Sequence, residues 1–285
     1  MKRLLIAGCG QLGSQLGSLL AEQGVTVFGL RRNVRDIPRP INPVAADLGE
    51  RDQLTRALPS GLNAVVYLAT PGMFNDEAYR KTYVDGLKNL IGALVDGGQS
   101  PDRLLLVSST SVYGQTDGSW VDENTPAAPG GFSGTRLLEA EQRLAQGPYP
   151  GVIVRFGGIY GANRTRMLKR VREGTPVVNT PPQYTNRIHQ DDCVGVLAHL
   201  LRLPAPASLY LGVDDTPCTM AQLTDWLADT MGLPRPVHIN GDAGGVRGSN
   251  KRCSNKRLRE SGYRFRYPGY RQGYLEMLGR ETSGG

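Results

Sequence analysis

The sequence predicts a doubly wound α/β fold, with a parallel sheet and helices on both faces, on three observations. An apolar run at 4–7 leads into Gly8-x-Gly10-x-x-Gly13, and helix-compatible residues follow. Through the first half, short apolar runs alternate with amphipathic stretches, the pattern of parallel strands joined by right-handed crossovers. The length of 285 residues suits one large α/β unit or a main domain with a smaller lobe.

Taken in order, the first strand is expected at 4–7 and its helix at 12–23. A strand at 26–30, a helix at 51–58, a strand at 64–69 and a helix at 79–96 follow. Then come a strand at 104–108, a helix at 135–145 and a strand at 152–156. Within 79–96, Tyr83, Leu87, Leu90, Ile91 and Leu94 recur at helical spacing and would bury one stripe. From about Gly157 the pattern loosens, with Pro176, Pro181, Pro182, Pro204 and Pro206 punctuating short elements. Helices are expected at 192–203 and 220–230, with a late strand at 208–212. Asp192 is expected to cap the helical run 193–201. The expected division is a mainly nucleotide-binding domain over 1–156 and a small, interleaved substrate-side lobe over 157–285.

The glycine triplet carries the chemistry. Gly8 lets the chain turn at the strand end, Gly10 leaves room for a pyrophosphate, and Gly13 lets the helix pack closely on the strand. N–H groups at the helix start, around Gln11 and Leu12, face the phosphates. A glycine triplet also serves plain turns; the strand before it and the helix after it point to a Rossmann-type dinucleotide site.

Composition is ordinary for a globular chain, at 39% hydrophobic and 21% charged, which argues against disorder. Gly8 and Gly10 cut the apolar run after Lys2 and Arg3 far short of a signal-peptide core. No apolar stretch is long enough to span a bilayer, so no membrane partner is expected. Cys9, Cys193, Cys218 and Cys253 form no Cys-x-x-Cys pair and only 3 histidines are present. That pattern favours a reducing, cytoplasmic setting and argues against a metal site. The net charge of +7 is uneven: residues 247–271 hold nine Lys or Arg against one acid, Glu260. Such a stretch suits an anionic small-molecule substrate, a nucleic acid or an acidic surface, and equally a solvated or subunit-facing one. Its aromatics are Tyr263, Phe265, Tyr267 and Tyr270, and no nucleic-acid recognition motif accompanies them. A homodimer stays open.

Further motifs follow in order: Asp47-Leu48, Tyr67-Leu68-Ala69, and VSSTSVYG from Val107 to Gly114. After them come Glu123-Asn124-Thr125-Pro126, Arg155 with Ile159-Tyr160-Gly161, and Ile188-His189-Gln190-Asp191-Asp192. With the glycine loop, this set resembles the extended short-chain dehydrogenase/reductase superfamily, in its NAD-dependent epimerase/dehydratase-like group. The chain is similar to its atypical members over 1–278. The resemblance implies Asp47 and Leu48 on the adenine side of the cofactor, Ala69 and Thr70 against it, and Ser109 as the serine of the active-site strand. Tyr113, Tyr160 and His189 fall in pocket-lining motifs and are candidate proton donors. The same residues could be wall or core groups with satisfied polar atoms. Arg155, Tyr160 and Arg164 are expected on the far wall, as substrate-binding residues.

One departure stands out. The superfamily's catalytic pair is Tyr-x-x-x-Lys, and here the segment reads Gly131-Phe132-Ser133-Gly134-Thr135-Arg136-Leu137. Phe132 cannot titrate, and Arg136 could hold a ribose but could not share a proton. After the second strand, Arg31 and Arg32 stand where an acid would grip a ribose 2′-hydroxyl. Two guanidiniums there suit a 2′-phosphate, so NADP is expected over NAD. The sequence therefore reads as an NAD(P)-binding oxidoreductase or epimerase-like protein for a small carbonyl or nucleotide-sugar-type substrate. The alternative is a cofactor-binding sensor without turnover.

Overall fold

The computed structural model describes residues 1–241 and 249–283. Its elements begin with β1 (Arg3–Ala7), α1 (Gln11–Ala21), β2 (Thr26–Arg31), β3 (Asn42–Ala45), α2 (Arg51–Ala57) and β4 (Ala64–Tyr67). Next come α3 (Asp76–Tyr79), a π-helical turn (Arg80–Asp85), α4 (Gly86–Asp96), β5 (Arg103–Ser109), a 3-10 turn (Thr110–Val112), β6 (Trp120–Val121), α5 (Phe132–Ala145) and β7 (Gly151–Phe156). The second half holds β8 (Gly158–Tyr160), α6 (Arg166–Arg172), β9 (Val177–Thr180), β10 (Tyr184–Thr185), β11 (Arg187–His189) and α7 (Gln190–Arg202). It closes with β12 (Leu209–Gly212), β13 (Cys218–Thr219), α8 (Met220–Thr230), β14 (His238–Asn240), β15 (Arg252–Cys253), α9 (Lys256–Glu260) and α10 (Tyr270–Ser283).

A seven-stranded parallel sheet runs in the order β12-β7-β5-β4-β1-β2-β3. Its order reverses between β1 and β4, whose pairing sets Ala7 beside Tyr67. In such sheets the crevice beyond the carboxyl ends at the reversal is where ligands bind. The central strands are apolar on both faces because helices cover both: Leu4, Leu5, Ile6, Val65, Val66, Leu104 and Leu105 are all buried.

The chain forms two compact units. The first comprises Met1–Val112, Gly131–Arg155 and Val194–Tyr210; the second comprises Tyr113–Gly130, Phe156–Cys193 and Leu211–Gly285. The second unit has its own apolar core, in which Leu168, Val171, Leu223 and Leu227 pack with Tyr160, Tyr270 and Tyr274.

Several local expectations are corrected. The helix expected at 79–96 is broken by the π turn, although its stripe is real: Tyr83, Leu87, Leu90 and Leu94 are buried and Ile91 half-buried. α5 begins at Phe132, one turn early, because Gly131 supplies an extended N-cap before it. Asp192 is no cap. α7 starts at Gln190, and the Asp192 carboxylate accepts from the Tyr263 hydroxyl (2.8 Å) and from the N–H groups of Arg266 (2.8 Å) and Tyr267 (2.9 Å).

Candidate functional site

At the end of β1, Gly8 takes a φ of +88°, open to glycine at little cost. The N–H groups of Gly8 and Cys9 donate to the Leu30 carbonyl (3.0 and 3.1 Å), tying the loop to β2. A Cβ on Gly8 would lie 2.5 Å from the Ala69 nitrogen and Cα, so the loops after β1 and β4 touch at the sheet's reversal. A Cβ on Gly13 would come within 3.0 Å of Ile6 Cγ2, which seats α1 on the strand. A Cβ on Gly10 would meet nothing closer than the Gly8 oxygen at 4.0 Å. This open face, beside a helix start that no side chain caps and where Gln11 and Leu12 stand, fits a pyrophosphate.

The residues expected on the adenine side lie along the same edge. Arg31 ends β2 and approaches Asp36 at 3.7 Å, while Arg32 approaches Asp47 at 3.9 Å with its side chain 80% exposed. Such exposed, loose pairs hold a guanidinium weakly. Asp47 Oδ1 accepts from the Gly49 N–H (2.9 Å), and the Leu48 carbonyl accepts from Asn89 Nδ2 (2.9 Å). Ala69 is half-buried and Thr70 exposed.

β5 separates two serines by its alternation. Ser108 is buried and donates to Glu141 Oε1 (2.5 Å), which also accepts from Arg155 Nε (3.0 Å). Arg155 Nη2 completes the fork on Oε2 (2.6 Å). Arg155, expected on a substrate wall, is thus a buried ion-pair residue, only 5% exposed. Ser109 is half-buried, and its Oγ accepts from the Ser111 N–H (3.1 Å), which leaves the hydroxyl hydrogen to donate outward.

Arg136 and Phe132 share the first turns of α5. Arg136 forks onto both Asp76 oxygens (2.7 and 2.8 Å) and its remaining nitrogen meets Glu139 (2.8 Å). To hold a ribose, as expected of it, this guanidinium would have to exchange one of these carboxylate partners. Phe132 packs against Phe74 and Tyr79 with ring centroids 5.0 and 5.3 Å away.

The second unit holds the other candidates. Tyr113 is buried and donates to the Asp122 carbonyl (2.6 Å). Tyr160 stacks on Tyr274 (4.5 Å), and its buried hydroxyl has no hydrogen-bond partner among the described residues. Burial pushes that phenol far above its usual range. His189 Nδ1 accepts from the Asp191 N–H (3.2 Å), its ring lies 4.0 Å from that of Tyr267, and Nε2 is 3.9 Å from Glu276. Burial lowers its pKa against the opposing pull of Asp191 and Glu276, so the ring is neutral at neutral pH. Arg164 is exposed, just after β8. Beside these, burial raises the Asp214 carboxyl to about 7 even though Arg187 opposes it.

Much of the basic stretch is engaged within the second unit. Lys251 is buried and donates to the Tyr113 carbonyl (3.2 Å) and Ser249 Oγ (2.7 Å). Arg252 lies over Trp120 and Tyr184, Arg259 pairs with Asp215, and Arg266 approaches Asp191 at 3.3 Å. Arg247 lies outside the described residues. Among the described residues, no helix is long and apolar enough to cross a membrane, and no group of three acids, histidines or cysteines could hold a metal.

The model for the NAD dependent epimerase/dehydratase family matches residues 4–206. The chain belongs to this family. Its seven-stranded parallel sheet gives it a Rossmann-like fold. A solved structure from Methylobacillus flagellatus, assigned to the same NAD-dependent epimerase/dehydratase class, is 37% identical, with 99% of each chain covered and a TM-score of 0.79. The 3-diazoavenalumate denitrifying reductase of a Streptomyces species is 28% identical over 82% of this chain and 83% of its own. MoeE5, solved with UDP-glucuronic acid and NAD, shares the fold at 24% identity, with 99% and 100% of the chains covered and a TM-score of 0.78.

Sequence reasoning missed Glu141, Phe74, Tyr79 and the π turn. Glu141 had a signal: it falls on the buried stripe Leu137, Ala140 and Leu144 of α5, where an acid needs a buried partner.

Proposed function

We propose that the chain is an NADP(H)-dependent oxidoreductase that acts on a small carbonyl compound without a Tyr-x-x-x-Lys pair. The observation that carries this reading is Ser109: a half-buried hydroxyl, oriented by the Ser111 N–H, on the same sheet edge as the glycine loop. Gly8, Gly10 and Gly13 with the start of α1 would hold the pyrophosphate, and Asp47, Leu48, Ala69 and Thr70 would flank the cofactor. Arg31 and Arg32, released from their loose acid partners, would grip a 2′-phosphate. A nicotinamide cofactor, when bound, supplies or accepts the hydride. Ser109 Oγ–H would donate to the substrate oxygen and polarise the carbonyl, and the proton that the reduced oxygen takes up would come from solvent through the half-buried Ser109 hydroxyl. Tyr113 and Tyr160, both buried, serve as packing groups in this reading, and His189 stays neutral. Arg164, exposed after β8, is a candidate for an anionic group within the second unit. The buried, unpaired-by-disulfide state of all four cysteines accords with a cytoplasmic setting.

The test is thermal stabilisation by NADPH and NADH, followed by a carbonyl screen read as NADPH consumption. NADPH should stabilise the protein more than NADH, and Gly10→Val should abolish the effect without loss of fold. Unchanged stabilisation in that variant overturns the proposal. A sensor without turnover is the second reading, favoured by Phe132 and the engaged Arg136; tight NADPH binding with no activity across the screen would select it.

A further inference from the structure

The loop after β4 exposes two large apolar residues in succession, Met73 (65% exposed) and Phe74 (52%). Phe74 is one corner of a triangle with Tyr79 and Phe132, centroids 5.0 to 5.5 Å apart, and Tyr83 extends it at 5.4 Å from Tyr79. The geometries are tilted and edge-to-face, as rings prefer. All four residues belong to the first unit. The cluster joins the segment following the carboxyl end of β4 to the start of α5, and α5 packs against the 3-10 turn that follows Ser109. The rings therefore stand at the ligand-binding end of the sheet.

Charge narrows what such a wall can hold. The guanidiniums beside it are both paired, Arg136 with Asp76 and Glu139 and Arg80 with Asp85 at 3.8 Å, so a diphosphate would meet three carboxylates against two guanidiniums already engaged. A flat, uncharged ring would meet edges and faces that can stack on it. The π turn at Arg80–Asp85 follows Tyr79 and contains Tyr83, and such turns in α-helices frequently mark functional sites.

We infer that Phe74, Tyr79 and Phe132 form a stacking wall for the aromatic part of an aryl carbonyl substrate, and that the chain selects aryl aldehydes or ketones over nucleotide sugars. This rests on the carbonyl-reducing reading above and names its substrate class. In the alternative occupancy, Met73 and Phe74 would be covered by a second copy of the chain.

The experiment uses the full chain with saturating NADP+, so that the aldehyde is not reduced, and two probes, 4-methoxybenzaldehyde and UDP-glucose, each titrated by calorimetry and by ligand-observed NMR; NADPH consumption is followed in a separate assay. The aldehyde should bind, its ring protons should receive magnetisation from the protein, and UDP-glucose should not compete. Phe74→Ala, exposed and tolerable to the fold, should weaken the aldehyde about tenfold while leaving NADPH affinity unchanged. Met73→Ser, at the wall's rim, should weaken it less. Equal aldehyde affinity in Phe74→Ala, or displacement of the aldehyde by UDP-glucose, overturns the inference. So does a fall in sedimentation mass in Phe74→Ala, which assigns the patch to a second copy. Aldehyde binding that depends on Phe74 without NADPH consumption would keep the wall and remove the oxidoreductase reading. Turnover indifferent to Phe74 would do the reverse.

Discussion

The arginines of the first unit occupy two opposite environments. Arg155 is sealed behind β5, forked onto Glu141 in a network that also takes the Ser108 hydroxyl. Arg31 and Arg32 stand at the exposed end of β2, held by carboxylates no closer than 3.7 Å. Both sets sit in or beside motif positions, and only their surroundings separate them. A buried fork is committed to the fold, because breaking it strands a charge away from water. A loosely paired guanidinium at the sheet edge can change partners at little cost. The same division runs between neighbours on β5: Ser108 serves the interior, and Ser109 faces outward.

The largest effect should come from breaking the sealed pair. Glu141→Ala should cost about 3–5 kcal/mol in urea unfolding by leaving Arg155 unmatched. A Glu141→Leu/Arg155→Met double variant should recover most of that. Equal losses in the single and double variants would show that the pair is not the cause.

A second buried acid, in the second unit, extends the contrast to pH. Asp214 titrates near 7 in the fold, against about 3.9 unfolded. Its raised pKa means that the folded state retains the proton longer. The associated stability is full below about pH 4 and is lost as pH rises through 7. Asp214→Asn should therefore flatten the fall in melting temperature between pH 5 and 8, an effect of roughly 2–4 kcal/mol at its upper bound. A wild-type curve already flat over that window would refute the buried-acid account.

At the open edge, stability should hold and affinity should change. Arg31→Ala with Arg32→Ala should leave apo unfolding unaltered while weakening NADPH by roughly 1.5–3 kcal/mol, the scale of a charged hydrogen bond, and NADH hardly at all. Calorimetry at low salt decides this, and an equal loss for both nucleotides would remove the 2′-phosphate assignment. The smallest effect belongs to the serines. Ser108→Ala should destabilise by about 1–2 kcal/mol, whereas Ser109→Ala should slow carbonyl turnover with no measurable change in melting temperature.

Much of the glycine-loop end was legible in the sequence, because its determinants are local. A strand, three glycines and a helix start lie within one short run, and the structure has β1, the Gly8 turn and α1 there. β3 escaped notice since it is a short edge strand containing Pro43, which an edge tolerates and a pattern search penalises. Arg155 was misplaced for another reason. Its partner Glu141 sits on a different element, and no periodicity reveals which buried charge meets which. Asp192 was misread likewise: a local rule for helix caps competed with donors from Tyr263, Arg266 and Tyr267, residues distant in the chain.

The π turn at Arg80–Asp85 also bears on how this segment tolerates changes in length. A π turn accommodates one residue more than the α turn it replaces, so this segment takes up an extra residue inside a helix and not in a loop. Removing one residue, Lys81 for instance, would let the helix run on as regular α. The stripe Leu87, Leu90 and Leu94 and the upstream residues Asp76 and Tyr79 would then keep their places, because the wide turn takes up the extra residue without rotating one flank against the other. Deleting a residue from the regular turns of α4 would instead rotate everything upstream by about 100° about the axis, carrying Tyr79 away from Phe132 and Asp76 from Arg136. Tolerance to a one-residue deletion is thus confined to the π turn.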